Sequence, residues 1–294
     1  MKILITGGSG LLGQYLNVRL SEHNDILTLY NNNTGNCKDY NSEEIDLADK
    51  KRLGGLFKSF RPDNVIHTAA ISRPELCDTL PRDLVKEVNI NSTEYLAGLC
   101  QMHNSRLIFT STDLVYDGDS GGMMSETDLV NPVSFYAETK IVSEDILRNT
   151  FDNFIILRTS LLFGMGMNHS VNNFHNMILN FRNKKKVKLF QDQYRTPLSL
   201  EDSAEIISGL INTDIRNVTL NFGGMERVSR AELGEIVCSI GGYDTELIER
   251  TSMYDIPDLH KVADVSMNTD KLNSLGVKRN SLEESVVKIL RVLQ

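Results

Sequence analysis

Cysteine is scarce in this chain of 294 residues, and Cys37, Cys77, Cys100 and Cys238 are scattered, with no Cys-x-x-Cys and no histidine spacing that would hold zinc. That excludes a disulfide scaffold and a structural zinc site, and reduced thiols in a cytoplasmic protein are expected. No stretch reaches the roughly 20 apolar residues that span a bilayer. The amino terminus opens on a strand-like run rather than a basic-then-apolar leader, so neither secretion nor membrane insertion is expected. Basic charge is also short: 31 Lys and Arg stand against 39 Asp and Glu, a net charge of −8. A backbone-driven grip on nucleic acid needs a basic surface and is excluded, although a local pocket can still hold an anionic substrate.

What is present is ordinary globular material, with 40% hydrophobic and 24% charged residues and no internal repeat or low-complexity linker. Strand-like runs at 2–6, 25–30, 64–68, 106–110 and 153–158 alternate with helix-like segments at 11–22, 50–60, 84–104 and 135–150. The alternation predicts an α/β fold, a doubly wound parallel sheet of Rossmann type with helices on both faces. Beyond Phe163-Gly164 the pattern turns irregular, with an Asn-rich stretch at 168–183 and the basic run Lys184 to Lys188. Regular segments resume at 199–211, 219–222 and 229–240. We expect a dinucleotide-binding domain over 1–160, a return of the chain to it near 198–225, and a smaller, mostly helical substrate lobe within 161–294.

The spacing Gly7-x-x-Gly10-x-x-Gly13, directly after Ile3-Leu4-Ile5, brings backbone amides close to a pyrophosphate and aims a helix's positive end at it. Gly7, Ser9, Gly10, Leu11, Leu12 and Gly13 are therefore candidate cofactor contacts. The second strand ends in Tyr30-Asn31-Asn32-Asn33, with no carboxylate to select the 2′-hydroxyl of NAD and no immediate cation to greet a 2′-phosphate. Arg19 and Lys38 are the nearest cations, and the balance leans to NADP(H) with NAD(H) open. Asp46-Leu47 reads equally as an adenine contact or as a helix cap. Ala69 and Ala70 supply small residues beside the ribose and nicotinamide, His67 reads as a packed core residue, and Asn89 lies in the helix that follows.

Tyr136 and Lys140 stand four residues apart on one helix face, which places an ammonium beside a phenol and is expected to favour its ionised form. The strand that ends in Thr110 delivers Ser111, Thr112 and Asp113 at its carboxyl end, where an open parallel sheet places ligands. Thr112 precedes Tyr136 by 24 positions (136 − 112). A hydroxyl there can bond a substrate carbonyl while Tyr136 supplies the proton and Lys140 holds the nicotinamide ribose. Chance pairing of Tyr136 with Lys140, and loop capping by Ser111 and Thr112, are the plainer readings of these residues taken singly.

Taken together, the glycine loop, Ser111 to Gly118, Glu126-Thr127-Asp128 with Asn131-Pro132, Tyr136 to Lys140, Leu157 to Gly164, Asp192 to Pro197 and Asp264 to Thr269 resemble an extended short-chain dehydrogenase/reductase. Within that superfamily the chain is similar to the dTDP-4-dehydrorhamnose reductase family of nucleotide-sugar ketoreductases. The resemblance implies NAD(P)H-dependent reduction of the C4 ketone of a nucleotide-linked 6-deoxyhexose, in dTDP-rhamnose and cell-surface polysaccharide biosynthesis. It implies Thr112, Tyr136 and Lys140 as catalytic residues, substrate contacts from Ser111, Asp113, Val115, Tyr116 and Arg195, and no metal; a homodimer is left open by the sequence. Related dehydratases place a second acid where this chain has Leu114, which leaves a reductase or an epimerase with tightly held NAD. A non-catalytic NADP-binding regulatory subunit is the reading from another class. Arg195 departs from the smaller residue of the family pattern, and Leu114 from an aromatic. Arg195 is expected to meet the substrate diphosphate or to pair with Glu201 or Asp202, and the Lys184 to Lys188 run to be a solvated face.

Overall fold

The structure, a computed structural model, describes residues 1–293. Its first half runs β1 (Lys2–Thr6), α1 (Leu11–Ser21), β2 (Asp25–Tyr30), β3 (Ser42–Glu44), α2 (Lys50–Phe60), β4 (Asn64–His67), α3 (Pro74–Thr79), α4 (Arg82–Lys86), α5 (Ser92–His103), β5 (Arg106–Thr112), α6 (Phe135–Thr150) and β6 (Phe154–Thr159). The second half runs β7 (Leu162–Phe163), α7 (Asn173–Arg182), β8 (Val187–Phe190), β9 (Tyr194–Arg195), β10 (Leu198–Ser199), α8 (Leu200–Leu210), β11 (Val218–Phe222), β12 (Val228–Ser229), α9 (Arg230–Gly241), β13 (Ile248–Thr251), α10 (Asp270–Asn273) and α11 (Leu282–Val292). Among the described residues no helix is long and apolar enough to cross a membrane.

Seven strands form one parallel sheet in the order β11-β6-β5-β4-β1-β2-β3. Strand side chains alternate between faces, and the sequence supplies an apolar residue for each. Ile3, Ile5, Ile66, Ile108, Ile155 and Leu157 join the core under α1 and α8. Leu4, Val65, Leu107, Phe109 and Ile156 join the core of the opposite face, with Leu53, Phe57, Leu96 and Leu147 of the helices. The strand order reverses between β1 and β4, and a doubly wound sheet opens a crevice at the carboxyl end of that switch point. α7, α9 and α11 bury a separate apolar cluster through Phe174, Ile178, Val237 and Val286 and stand across the crevice.

Two expected elements differ. The helix expected over 84–104 starts at Arg82 and contains a π-helical turn at Glu87–Asn91, and Asn104 ends it in the left-handed region at φ 56°. The Asn-rich stretch expected to be irregular contains α7, capped by Asn172, whose side chain accepts from the His175 amide. Its buried Phe174, Met177, Ile178 and Phe181 follow helical spacing, while asparagines occupy exposed positions.

Candidate active site

A cleft of about 1250 Å³ lies along the carboxyl ends of β1, β2, β4 and β5 and continues between the sheet and α7, β8 and α9. At its floor the chain passes tightly through the glycine loop. Gly7 adopts φ 69°, and a Cβ there would sit 2.7 Å from the Ala69 amide nitrogen. Gly10 forms the amino-terminal cap of α1 and contributes no capping side chain, which leaves the helix's positive end open toward the cleft. Gly7, Ser9, Gly10, Leu11 and Leu12 line the cleft with Ala69 and Ala70. Gly13 does not; a Cβ there would meet the Gly7 carbonyl oxygen at 2.1 Å, so its part is to let α1 pack on the loop.

Asn31 and the Asp46-Leu47 pair line the far end of the cleft. Asp46 accepts from the Ala48 amide at 2.9 Å, and the cap of α2 is Asp49, which accepts from the Arg52 amide at 3.0 Å. The capping alternative for Asp46 is thereby corrected. Arg19 is engaged by Glu22 and by Glu205, at 3.0 Å through Nη2, and neither it nor Lys38 lines the cleft. Asn89 is likewise corrected as a cofactor contact. It is buried, and its amide bonds the Ile71 backbone at 2.9 and 3.1 Å and the Thr139 hydroxyl at 3.1 Å, so it ties the cleft-lining Ile71 to α6. His67 is the core residue expected: its ring nitrogens meet the Thr6 and Thr93 hydroxyls at 2.7 and 3.1 Å. Burial, then the Lys140 charge, pushes its pKa down to about 3.

Thr112, Tyr136 and Lys140 all line the cleft. Thr112 sits where β5 ends; its hydroxyl accepts from the Leu114 amide at 3.2 Å and lies 3.3 Å from Asp113 Oδ1. Ser134 caps α6 by accepting from the Ala137 amide, which fixes Tyr136 in the first helical turn. Lys140 follows one turn later and donates to the Thr110 carbonyl at 2.8 Å, with its nitrogen 4.6 Å from the Phe109 ring centre and 5.9 Å from that of Tyr136. The expected ionisation of Tyr136 is not what results. Burial raises its pKa, and the neighbouring Asp113 raises it further, so the phenol holds its proton. Burial instead lowers the pKa of Lys140 to about 8, against the pull of Glu144.

Ser111 lines the cleft, and its buried hydroxyl lacks a partner among the described residues. Asp113 also lines it, with Oδ2 3.4 Å from Arg195 Nε and 3.3 Å from the Ser160 hydroxyl. Arg195 is 4% exposed and pairs with Asp113, not with Glu201 or Asp202. Val115 and Tyr116 are fully buried in a core with Met124, Val262, Val265 and Met267 and do not line the cleft. Tyr116 bonds Asn221 and Arg158 at 3.1 and 2.9 Å, and Arg158 in turn pairs with Glu144 of α6 at 2.9 Å. Both residues are therefore packing groups behind α6. The sequence reading missed Ser160, Asn176, Gln193, Arg230 and His260, which also line the cleft. Lys188 lines it too, whereas Lys184 to Lys186 are exposed and do not.

A family model described as the RmlD substrate binding domain matches residues 1–294. The chain is 29% identical over 224 residues to a dTDP-4-dehydrorhamnose reductase of Aggregatibacter actinomycetemcomitans, covering 76% of this chain and 71% of that protein. It is 27% identical over 258 residues to a probable low-salt glycan biosynthesis reductase of Haloferax volcanii, covering 87% and 85%. A Bacillus anthracis dTDP-4-dehydrorhamnose reductase solved in complex with NADP superposes with a TM-score of 0.84 at 22% identity over 99% of both chains, which shows the fold.

Proposed function

Because the chain belongs to the RmlD substrate binding domain family, we propose that it reduces the C4 ketone of a nucleotide-linked 4-keto-6-deoxyhexose with NADPH. The observation that carries this reading is the meeting of Thr112, Tyr136 and Lys140 at one wall of the cleft that the glycine loop floors. The names of the reductase relatives and the NADP held by the Bacillus anthracis structure support it. The four unpaired, buried cysteines suit a cytoplasmic setting.

The cleft fits a dinucleotide. Gly7 and Gly10 would hold the pyrophosphate, Ala69 and Ala70 leave room for ribose and nicotinamide, and the Asn31 amide would take either a 2′-hydroxyl or a 2′-phosphate. When bound, the reduced nicotinamide supplies the hydride. Tyr136, kept protonated by burial, gives its proton to the oxygen that becomes an alkoxide. Thr112 donates a hydrogen bond to the same oxygen, which strengthens as negative charge develops there and so favours the transition state over the ketone. Lys140 brings a desolvated positive charge to the nicotinamide ribose and to the phenol as it loses its proton.

The test is to mix the protein with NADPH, and separately NADH, and a panel of nucleotide-4-keto-6-deoxyhexoses while following the absorbance of the reduced nicotinamide. Substrate-dependent oxidation is expected, and Tyr136→Phe should lower it by about 10²- to 10⁴-fold with cofactor binding retained. Bound cofactor without oxidation would move the assignment to an epimerase or a regulatory subunit.

A further inference from the structure

The protein carries a net charge of −8, yet Lys188, Arg195 and Arg230 all face the part of the cleft between the sheet and the carboxyl-terminal half. Asp113 is the carboxylate set among them; Glu75 stands exposed on α3 and Asp46 lies beside Asn31 at the ends of β2 and β3. Arg195 is already committed, to Asp113 at 3.4 Å and to the Tyr194 and Val262 carbonyls at 2.6 and 3.4 Å. Arg230 is not. Its Nε donates to Gln193 Oε1 at 3.1 Å, and its two terminal nitrogens have no partner among the described residues.

Its position adds to the case. Arg230 is the first residue of α9, where a cation opposes the helix dipole, and the cap of that helix is completed by Ser229 and Glu232 without it. Nothing in the local structure of α9 calls for arginine there. Asp113 is taken by Arg195, and Arg230, only part-buried, turns the unpaired edge of its guanidinium to the cleft, where an anion can reach it. Burial lowers the Arg230 pKa to about 10, with Arg195 acting in the same direction and Asp113 opposing.

We propose that Arg230, rather than Arg195, anchors the diphosphate of the substrate, with Lys188 on β8 as the second, more exposed contact. The planar fork of a guanidinium matches a pair of phosphate oxygens, and the point charge of a lysine suits a mobile phosphate at the rim. Arg195 then holds Asp113 in place beside Thr112. This assignment rests on the nucleotide-sugar reading above for the identity of the anion, and on the free guanidinium for its position.

The experiment is calorimetric titration of the NADPH-loaded protein and its Arg230→Gln and Arg230→Lys variants with dTDP, UDP, thymidine and inorganic pyrophosphate. Wild type is expected to bind dTDP or UDP more tightly than thymidine. Arg230→Gln should weaken the nucleoside diphosphates by about 10- to 100-fold, as loss of a charge-assisted bond predicts, with NADPH and thymidine affinity unchanged. Arg230→Lys should recover part of the loss, and it stands in for the Gln variant if that one fails to fold. Nucleoside diphosphate affinity in the variants equal to wild type overturns the proposal, as does a wild type that binds none of the phosphate probes. Pyrophosphate binding that needs Arg230, with no gain from a nucleoside, upholds the anion site and sinks the nucleotide-sugar reading instead.

Discussion

At the scale of single residues, the site depends on charge carried into a buried place. Lys140 is 2% exposed and its pKa falls from 10.5 to about 8 because burial disfavours the ammonium. A base whose folded pKa lies below its unfolded value destabilises the fold while it is charged. The penalty is full below about pH 8 and fades as pH rises toward 10.5, so this group makes the protein more stable with rising pH across that window. Lys140→Met should therefore raise stability at pH 7 by up to about 3 kcal/mol while abolishing reduction, with the gap to wild type closing by about pH 10. Denaturant unfolding at the two pH values checks this, and an unaltered gap would sink it. The kcat/KM for NADPH in wild type should fall above about pH 8, since that ratio reports ionisations of the free enzyme. The Tyr136 and Lys140 pair was legible because i, i+4 spacing is a local property of the chain. The direction of the Tyr136 shift was not, because it is set by burial and by Asp113, 23 positions away (136 − 113), and neither can be read from the spacing. Arg195 was likewise legible as a cleft cation, but its Asp113 partner arrives only when β9 meets the end of β5.

At the scale of elements, legibility followed where the signals reside. The helices over 50–60 and 135–150 begin and end where the sequence predicts, because Asp49 and Ser134 mark their starts within the local chain. α7 escaped because its exposed asparagines mask a buried Phe174-Met177-Ile178-Phe181 stripe. Val115 and Tyr116, which the family resemblance implies as substrate contacts, are directed into the core by the short turn at Asp113–Val115. The glycines separate function from tolerance in the same way. Gly13→Ala would drive a Cβ to 2.1 Å from the Gly7 carbonyl and 2.7 Å from Gly8 Cα, both backbone atoms that cannot swing aside. It should cost on the order of 1–3 kcal/mol and weaken NADPH binding by deforming the loop. Gly55, exposed within α2, has nothing within 4 Å of its would-be Cβ. Gly55→Ala should stabilise the protein by about 0.5–1 kcal/mol without touching activity. Thermal unfolding of the two variants gives opposite signs if the glycine loop is packed as described, and a harmless Gly13→Ala would contradict that packing.

At the scale of the whole molecule, the two halves of the cleft are joined through one buried side chain on α1. Gln14 is fully buried, and its amide nitrogen bonds Ser9 O, Met167 O and Ser170 Oγ, each at 3.0 Å. Its carbonyl oxygen accepts from the Asn36 amide at 3.0 Å and the Asn168 side chain at 2.6 Å. Ser170 bonds Ser9 O at 3.0 Å, and Tyr15 bonds Met165 O at 2.7 Å. The segment over 165–170, more than 150 residues from the glycine loop in sequence, is thus strapped across the loop that would hold the pyrophosphate. No local pattern announces this, since Gln14 reads as an ordinary helix residue and its partners lie in the stretch with the least periodicity. Residues 165–170 do not line the cleft, so the strap leaves the groups facing a bound dinucleotide unaltered and acts by bracing the glycine loop through Ser9; a loosened loop should show first in the release rate. Gln14→Ala removes the amide that links Ser9, Asn36, Met167, Asn168 and Ser170, and leaves the Ser170 and Tyr15 contacts to hold the strap. Taking only one or two of those bonds as limiting, release of NADPH should quicken by about 10-fold or more. Stopped-flow displacement of NADPH fluorescence measures that rate directly. A release rate equal to wild type, in a variant that still folds and binds, would mean that the strap does not brace the loop and that Gln14 serves packing alone.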